Sequence, residues 1–536
     1  MEFKKAFKVS AIASALILTA CGGDIKVQPT TIDNSVDNSV TNPGGGTVTP
    51  SFECASYTQN GSTLSGTVSG DDCVYSTTFA SDLKEITSDL YVPSIPGRHI
   101  FQGSLFIGAD YAPGQESNIP AVGATLTIEA GSTLVFSSND DYLRVARGSR
   151  IIAEGTVDKP IIFTSNEAFD DLDTVGEGPK YRDWGGIMIN GRGINNKCTT
   201  AEREADTCSQ KTEGAVSYYG GNIEDDNSGI LKYVGIYYAG SGPKQAGAGD
   251  DLNSLSLYAV GSGTTIDYVH IHEGYDDGVE AFGGSVNMKH LVLTHNQDDS
   301  VDWDEGYTGK IQHVLVKHGN QLGNRGFETD GAKSSPAGQG DTDESASNVM
   351  VANVTVLAND TSSIRDDDAS RGIMLREWGM GKLYNLLVTN SGTEGSHQCF
   401  ELNDEKDKVD ADGVIANANA GKIVVEGSIV ACGINFKNPK NNPSFDLATW
   451  WAAQGNSALT PSHTVYATDG YRTALQMTDS DGNAVEVAAP VDVNAIDPWF
   501  DQVDYVGAIS EADTTSDWAK WVDMAMQVAA DSSFAY

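Results

Sequence analysis

Between Thr265 and Gly331 the chain nearly repeats itself. Ile266-Asp267-Tyr268-Val269-His270-Ile271 returns as Met288-Lys289-His290-Leu291-Val292-Leu293, and again as Ile311-Gln312-His313-Val314-Leu315-Val316, at offsets of 22 and 23 residues. Each of the first two copies runs into an acidic turn, Tyr275-Asp276-Asp277-Gly278-Val279-Glu280 and then Gln297-Asp298-Asp299-Ser300-Val301-Asp302. A period of about 20 to 30 residues built from short β-rich units marks a solenoid, because one coil buries its apolar face only by stacking on its neighbours. The repeat therefore predicts an all-β solenoid of parallel coils.

The same pattern, less strictly spaced, begins with the coils 124–136 and 143–156, short strands punctuated by glycine. The run GSRIIAEGTVDKPIIFTS at 148–165 is followed by DWGGIMING at 183–191. Together with GSGTTIDYVHIHEGYDDGVEAFGGSVNMKHL at 261–291 and DYVGAI at 504–509, this resembles the right-handed parallel β-helix of the pectin-lyase-like superfamily. More narrowly, it is similar to a group of bacterial outer-membrane lipoproteins with that fold. The resemblance implies the fold but little about activity, since the superfamily holds lyases, hydrolases, adhesins and non-catalytic proteins. We expect an N-terminal cap over 54–123, the β-helix over 124–435 and a C-terminal cap over 436–536. Trp450, Trp451, Trp499, Trp518 and Trp521 would seal that last segment's core rather than stack sugars. Insertions at 190–229, 331–347 and 360–371, the last holding Asp366, Asp367 and Asp368, mark the flank where solenoids usually bind.

The N-terminus carries an address. Lys4, Lys5 and Lys8 precede an apolar stretch, 11–18, too short to span a bilayer. It ends in Leu18-Thr19-Ala20-Cys21, which resembles the lipobox of bacterial lipoproteins. That resemblance implies a signal peptide at 1–20, cleavage before Cys21 and a diacylglyceryl group on its sulfur. Gly22 stands where the aspartate of inner-membrane retention would sit, so the outer membrane is expected, with the body facing the periplasm or the cell surface. An ordinary cleaved signal peptide with a chance cysteine is the alternative. Residues 21–53, with Asn42-Pro43-Gly44-Gly45-Gly46, are too polar to repay their ordering entropy and read as a flexible linker.

Six further cysteines fall in close pairs, Cys54 with Cys73, Cys198 with Cys208 and Cys399 with Cys432. Beyond the inner membrane an even count reads as disulfides. Sequential pairing is preferred because each pair brackets a loop or one coil. Thiolate metal sites are the weaker reading, as no Cys-x-x-Cys occurs. The net charge of −40 repels nucleic acid and favours divalent cations or cationic ligands. We expect a monomer whose partner is a polysaccharide or an outer-membrane or extracellular protein.

Aligning the coils stacks Val279, Val301, Phe327, Ile373 and Phe400 into one inward ladder, since side chains alternate across a strand. Glu280, Asp302, Glu328 and Glu401 then point outward. Asp304 and Asp330 form a second column with Arg376 and Asn403, and Asp276, Asp277, Asp298 and Asp299 occupy the preceding turns. Strands ~4.8 Å apart force neighbouring carboxylates to repel unless a cation or a basic group intervenes. Six of the nine histidines lie between His270 and His318, with His290 equivalent to His313 and His295 to His318. His270, His272, His290 and His313 are expected to point out of the core.

Three readings of this cluster stand side by side. Stacked Asp and His can be hydrogen-bonded turn ladders, with Asp capping the turns. Asp276, Asp277, Asp298, Asp299, Asp302 and Asp304 can hold calcium, which takes six to eight oxygen ligands, although no EF-hand or calcium-roll nonapeptide is present. Glu280, Glu328, Asp330, His272, His295, His318 and Arg376 would then complete a binding face. Or paired acids can hydrolyse a polysaccharide, as in the β-helical polygalacturonases whose Asp-Asp element Asp298-Asp299 resembles. The Gly-His-Gly element of that family is missing, with His318-Gly319-Asn320 the nearest approach. Lyase chemistry would want a base such as Lys317, Arg325, Arg371 or Arg376 and a charge-neutralising cation. The expected function is a lipid-anchored binding or accessory protein for a polymer or protein partner, with a carbohydrate-active enzyme as the alternative.

Overall fold

The computed structural model describes residues 52–531 except 170, 174, 175, 177, 243–250, 333–345, 366, 394 and 406–412. The expected signal peptide, Cys21, the expected linker up to residue 51, Asp366 and much of the 331–347 insertion lie outside the described residues.

A repeat of 22 or 23 residues brings each strand beside its own counterpart one coil later, so pairing is parallel throughout the body. Eleven strands stack into one face of the solenoid, from Glu85–Ile86 through Val279–Phe282, Val301–Asp304, Arg325–Asp330 and Arg371–Arg376 to Ile434–Lys437. The fold is an all-β parallel β-helix. The inward ladder is present as the alternation requires: Val279, Val301, Phe327, Ile373 and Phe400 pair in register and are each at most 2% exposed.

The rest of the wall depends on six long strands, Gly229–Tyr237, Thr265–His272, Asn287–Thr294, Lys310–Lys317, Asn348–Leu357 and Met380–Asn390. Each turns a corner at one residue with φ between 52° and 59°: Tyr233, Tyr268, His290, His313, Asn353 and Asn385. The ladder skips these residues and resumes beyond them. The left-handed region suits Asn and His better than most L-residues. It turns the strand without breaking its pairing, so Val269, Leu291, Val314, Val354 and Leu386 still face the core. Outside the corner the column stacks, with ring centroids 4.3 Å apart from Tyr233 to Tyr268, 4.2 Å from Tyr268 to His290 and 4.9 Å from His290 to His313.

Both ends differ from the sequence expectation. Coils start well before residue 124: Asp72–Tyr75 stacks on His99–Phe101, Leu90–Val92 on Thr125–Ile128, and Glu85–Ile86 on Leu105–Ile107. Strands of two to four residues are too short to show a period. The true cap is the antiparallel set Ser56–Gln59, Ser62–Ser65 and Thr67–Ser69. At the other end stacking runs past 435, with Ile429–Cys432 pairing with Ser457–Leu459 and buried Trp451 closing over Phe400 and Phe436.

Beyond that point the chain does not cap the end but lies along the flank, from the coil of Asn385 to that of Tyr233. Asn385 Nδ2 donates to the Val491 carbonyl (2.9 Å), Asn353 Nδ2 to that of Tyr505 (3.0 Å), and Gln312 Nε2 to that of Asp501 (3.1 Å). The helix Asp517–Asp531 then packs Trp518 and Trp521 over Tyr233, Val292 and Leu315. Those outward residues are apolar or aromatic, so the corner column had to be covered by something. Trp518 and Trp521 thus seal a core, and we call this segment the strap. The three cysteine pairs are joined as expected, with Cα separations of 5.5, 5.6 and 6.2 Å.

Candidate functional site

The outward side of the eleven-stranded face carries the acids in the predicted register. Glu280 pairs with Asp302, Asp302 with Glu328, Glu328 with Met374 and Met374 with Glu401. In the second column Asp330 pairs with Arg376 and Arg376 with Asn403. The face is not open, however, so the expected binding face is covered. Glu280, Asp302, Asp304, Glu328, Asp330 and Glu401 are all buried. The insertions roof them. Tyr219, from the 190–229 insertion, packs tilted against Tyr258 with ring centroids 5.0 Å apart and hydrogen-bonds Glu305. Ser363, from the 360–371 insertion, donates to the Gln297 carbonyl (2.6 Å) and places Arg365 over the acidic turns.

The turn aspartates do form a hydrogen-bonded spine. Asn253 Oδ1 accepts from Asp277 N (3.1 Å), Asp277 Oδ1 from Asp299 N (3.0 Å), and Asp299 Oδ1 from Arg325 N (2.7 Å). Asp304 Oδ1 likewise accepts from Glu305 N (2.6 Å). Turn capping is therefore one role of these residues, but it does not account for their charge.

Arginines neutralise part of it. Arg365 ion-pairs with Asp276 and with Asp298 (2.6 Å). Arg325 reaches Asp299 (3.2 Å) and Glu328 (2.7 Å), and Arg376 pairs with Glu328 and Asp330. Lys437 pairs with Glu401 (2.8 Å). Arg325 and Arg376 are thus committed to ion pairs, a poor state for a proton abstractor. Burial, and then the nearby Asp298, hold the Asp276 carboxyl up at about 7 despite Arg365.

Three acids remain. One oxygen each from Asp277, Glu280 and Asp302 converges to within 4.8 Å, and none of the three makes an ion pair with a described residue. Asn253 Nδ2 donates to Glu280 Oε2 (2.5 Å), while Asp302 Oδ1 is buried with no hydrogen-bond partner among the described residues. Burial first, and then the neighbouring carboxylates, push all three carboxyls well above their ordinary values. Asp302 also belongs to a second convergence, with Asp299 and Glu328. Three buried carboxylates without a cation are the oxygen-rich set that a divalent ion, or shared protons, would stabilise.

The histidines separate into two groups. His290 and His313 belong to the corner column beneath the strap, where Trp518 lies 5.1 Å from the His290 ring. His270 and His272 face away from the core but are fully buried, so they present nothing to solvent. His295 and His318 sit one position beyond the strand ends, and His318 Nδ1 bonds Ser370 Oγ (2.7 Å). Sequence reasoning passed over Asn253, Arg365 and Glu273. Asn253 lies just ahead of the strand Leu255–Tyr258, one coil before Asp277, and alignment there could have found it.

Residues 115–464 match the model of a family described as the pectate-lyase like beta helix domain. The chain belongs to this family. No curated protein and no solved structure matches it. The family match takes in every acid of the ladder and the insertions that roof it, and it ends before the strap.

Proposed function

We propose that this member of the pectate-lyase-like family is a binding or accessory protein for a polymer or protein partner, lipid-anchored in the outer membrane, and that its roofed acidic ladder takes up calcium. The observation that carries the metal reading is the uncompensated trio Asp277, Glu280 and Asp302 with its orphaned Asp302 oxygen. Calcium there would meet hard carboxylate oxygens and fasten the insertions to the sheet beneath them. The loop-bearing flank would then be a rigid, extended surface of the kind solenoids use for long partners. The family description makes a polysaccharide the natural polymer.

Calcium that binds only the native chain raises its stability by mass action, by about 2.7 kcal/mol at a hundredfold excess over the dissociation constant. Thermal melts with calcium against chelator should show that gain, magnesium should give less, and Asp302→Asn should abolish it. A melting curve indifferent to chelation sinks the calcium reading. The sign in chelator is also set. Asp302 has a raised native pKa, so stability is lost as pH rises above its unfolded value of about 4, where only the unfolded chain ionises. Asp302→Asn should match the wild type near pH 4 and melt above it at neutral pH in chelator.

One observation favours the enzyme reading: the Asp276 carboxyl, held at about 7, is suited to a general acid. Against it, the converging oxygens of Asp276 and Asp298 lie within 4.8 Å, closer than the ~6.5 to 9.5 Å between the carboxyls of an inverting hydrolase. Polysaccharide cleavage that disappears in Asp276→Asn would overturn the accessory role. The anchor has its own test. Cys21→Ser should release the protein from the membrane fraction, and retention of the variant there would refute acylation at that residue.

A further inference from the structure

The turn that leads each coil toward the acidic sheet gathers a second set of donors, of different chemistry. His272, Thr294 and Lys317 occupy one register position in three successive coils. The residues that follow them are Glu273, His295 and His318, and Glu273 and His295 both take left-handed φ, 52° and 60°. This geometry brings one donor atom each from His272, Glu273 and His295 to within 4.8 Å of one another.

His272 is the independent pointer to a ligand. The ring is fully buried, and its Nδ1 bonds Thr294 Oγ1 at 2.8 Å. Its Nε2 has no hydrogen-bond partner among the described residues, with Glu273 Oε1 standing off at 3.6 Å. A buried polar atom left unsatisfied keeps its desolvation penalty, so the site is incomplete as it stands. Burial keeps the imidazole neutral. In the tautomer whose Nδ1 donates to Thr294, the Nε2 lone pair is free for a metal, which is how an outer hydrogen bond fixes the tautomer of a metal-binding histidine.

We propose that His272, Glu273 and His295 form a transition-metal site of the zinc class, a two-histidine, one-carboxylate set with a coordination position left open. Two imidazoles suit zinc, cobalt or iron and are poor ligands for calcium, so this site is chemically distinct from the carboxylate trio. Half-buried His295 supplies the route in. Lys317, on the neighbouring coil, is the nearby cation, and burial holds its ammonium below the usual lysine value, which weakens its opposition to a metal ion.

The test titrates the chelator-stripped full chain with cobalt(II) and with zinc. The expected result is one equivalent bound at micromolar metal, with the visible absorption of cobalt in a low-coordinate site that zinc bleaches. His295→Gln and Glu273→Gln should each lower affinity at least ~10-fold, and Thr294→Val, which removes the outer bond to His272 Nδ1 together with the one to His270 Nε2, by about 10-fold. His313→Gln should change nothing, which separates this cluster from the one that His290 and His313 form with Asp501. Asp302→Asn should leave zinc binding intact, and His295→Gln should leave the calcium response intact, so the two metal readings fail separately. Metal-free melts of each variant confirm that the fold is kept. Absence of a stoichiometric cobalt signal in the wild type, or a wild-type signal in a folded His295→Gln, overturns the proposal.

Discussion

Val301→Asp is expected to cost more than about 3 kcal/mol and to leave little native protein at 37 °C. Val301 is completely buried in the inward ladder, between Val279 on one coil and Phe327 on the next. A carboxylate there has no cation and no hydrogen-bond donor, and it must either stay charged in an apolar column or give up its ionisation. The adjacent Asp302 points the other way, into the roofed acid cluster. Asp302→Asn should therefore be mild, and in chelator at neutral pH even stabilising. Paired thermal melts of the two variants read the register directly. Equal losses would mean that the strand alternation is reversed.

Trp521→Ala should be comparably severe, at about 3 to 5 kcal/mol for a buried tryptophan cut to a methyl group. Trp521 is fully buried, edge-on to Tyr233 with ring centroids 5.6 Å apart, and it belongs to the same apolar cluster as Val292, Leu315 and Trp518. Its removal undoes a contact between residues almost three hundred positions apart. The loss should appear as strap release, so hydrogen exchange in Asn287–Thr294 and Lys310–Lys317 should rise together with the drop in melting temperature. Undisturbed exchange in those strands would show that the strap does not protect them.

How much of this was legible follows from which features obey a period. The coils from 265 onward announce themselves because Val269, Leu291 and Val314 recur at the coil spacing, and the columns of the acidic face follow from simple alternation. The N-terminal coils do not, since strands such as Glu85–Ile86 carry too few residues for any alternation. The strap is invisible from sequence because its contacts, such as Gln312 with Asp501, link residues 189 apart with no repeating pattern. For the site, sequence placed the acids but not their surroundings. Burial of Asp302 and Glu328 comes from insertions whose paths follow no repeat, and so does the clamp of Arg365 on Asp276 and Asp298. Glu273 was missed for a local reason. It follows the strand end in the left-handed region, where alternation no longer tells which way a side chain faces.

The strap also changes what kind of cooperative unit the molecule is. A bare solenoid behaves as a one-dimensional chain of coils, each coupled only to its neighbours, so that it can fray from an end or melt in the middle. Here one segment packs on or bonds to the coils of Tyr233, Tyr268, His313, Asn353 and Asn385 at once. Opening any of them exposes part of a surface that all share, which adds a long-range coupling to the nearest-neighbour one. Because the strap follows those coils along the chain, it can dock only after they exist. Coils 229–390 should then unfold as one block, while the short-stranded coils before residue 124, to which the strap's described residues make no hydrogen bond or ring contact, should be free to melt separately. Calorimetry of the wild type against a chain ending at residue 490 reads the difference: two transitions with the strap present, and a broadened, fraying one without it.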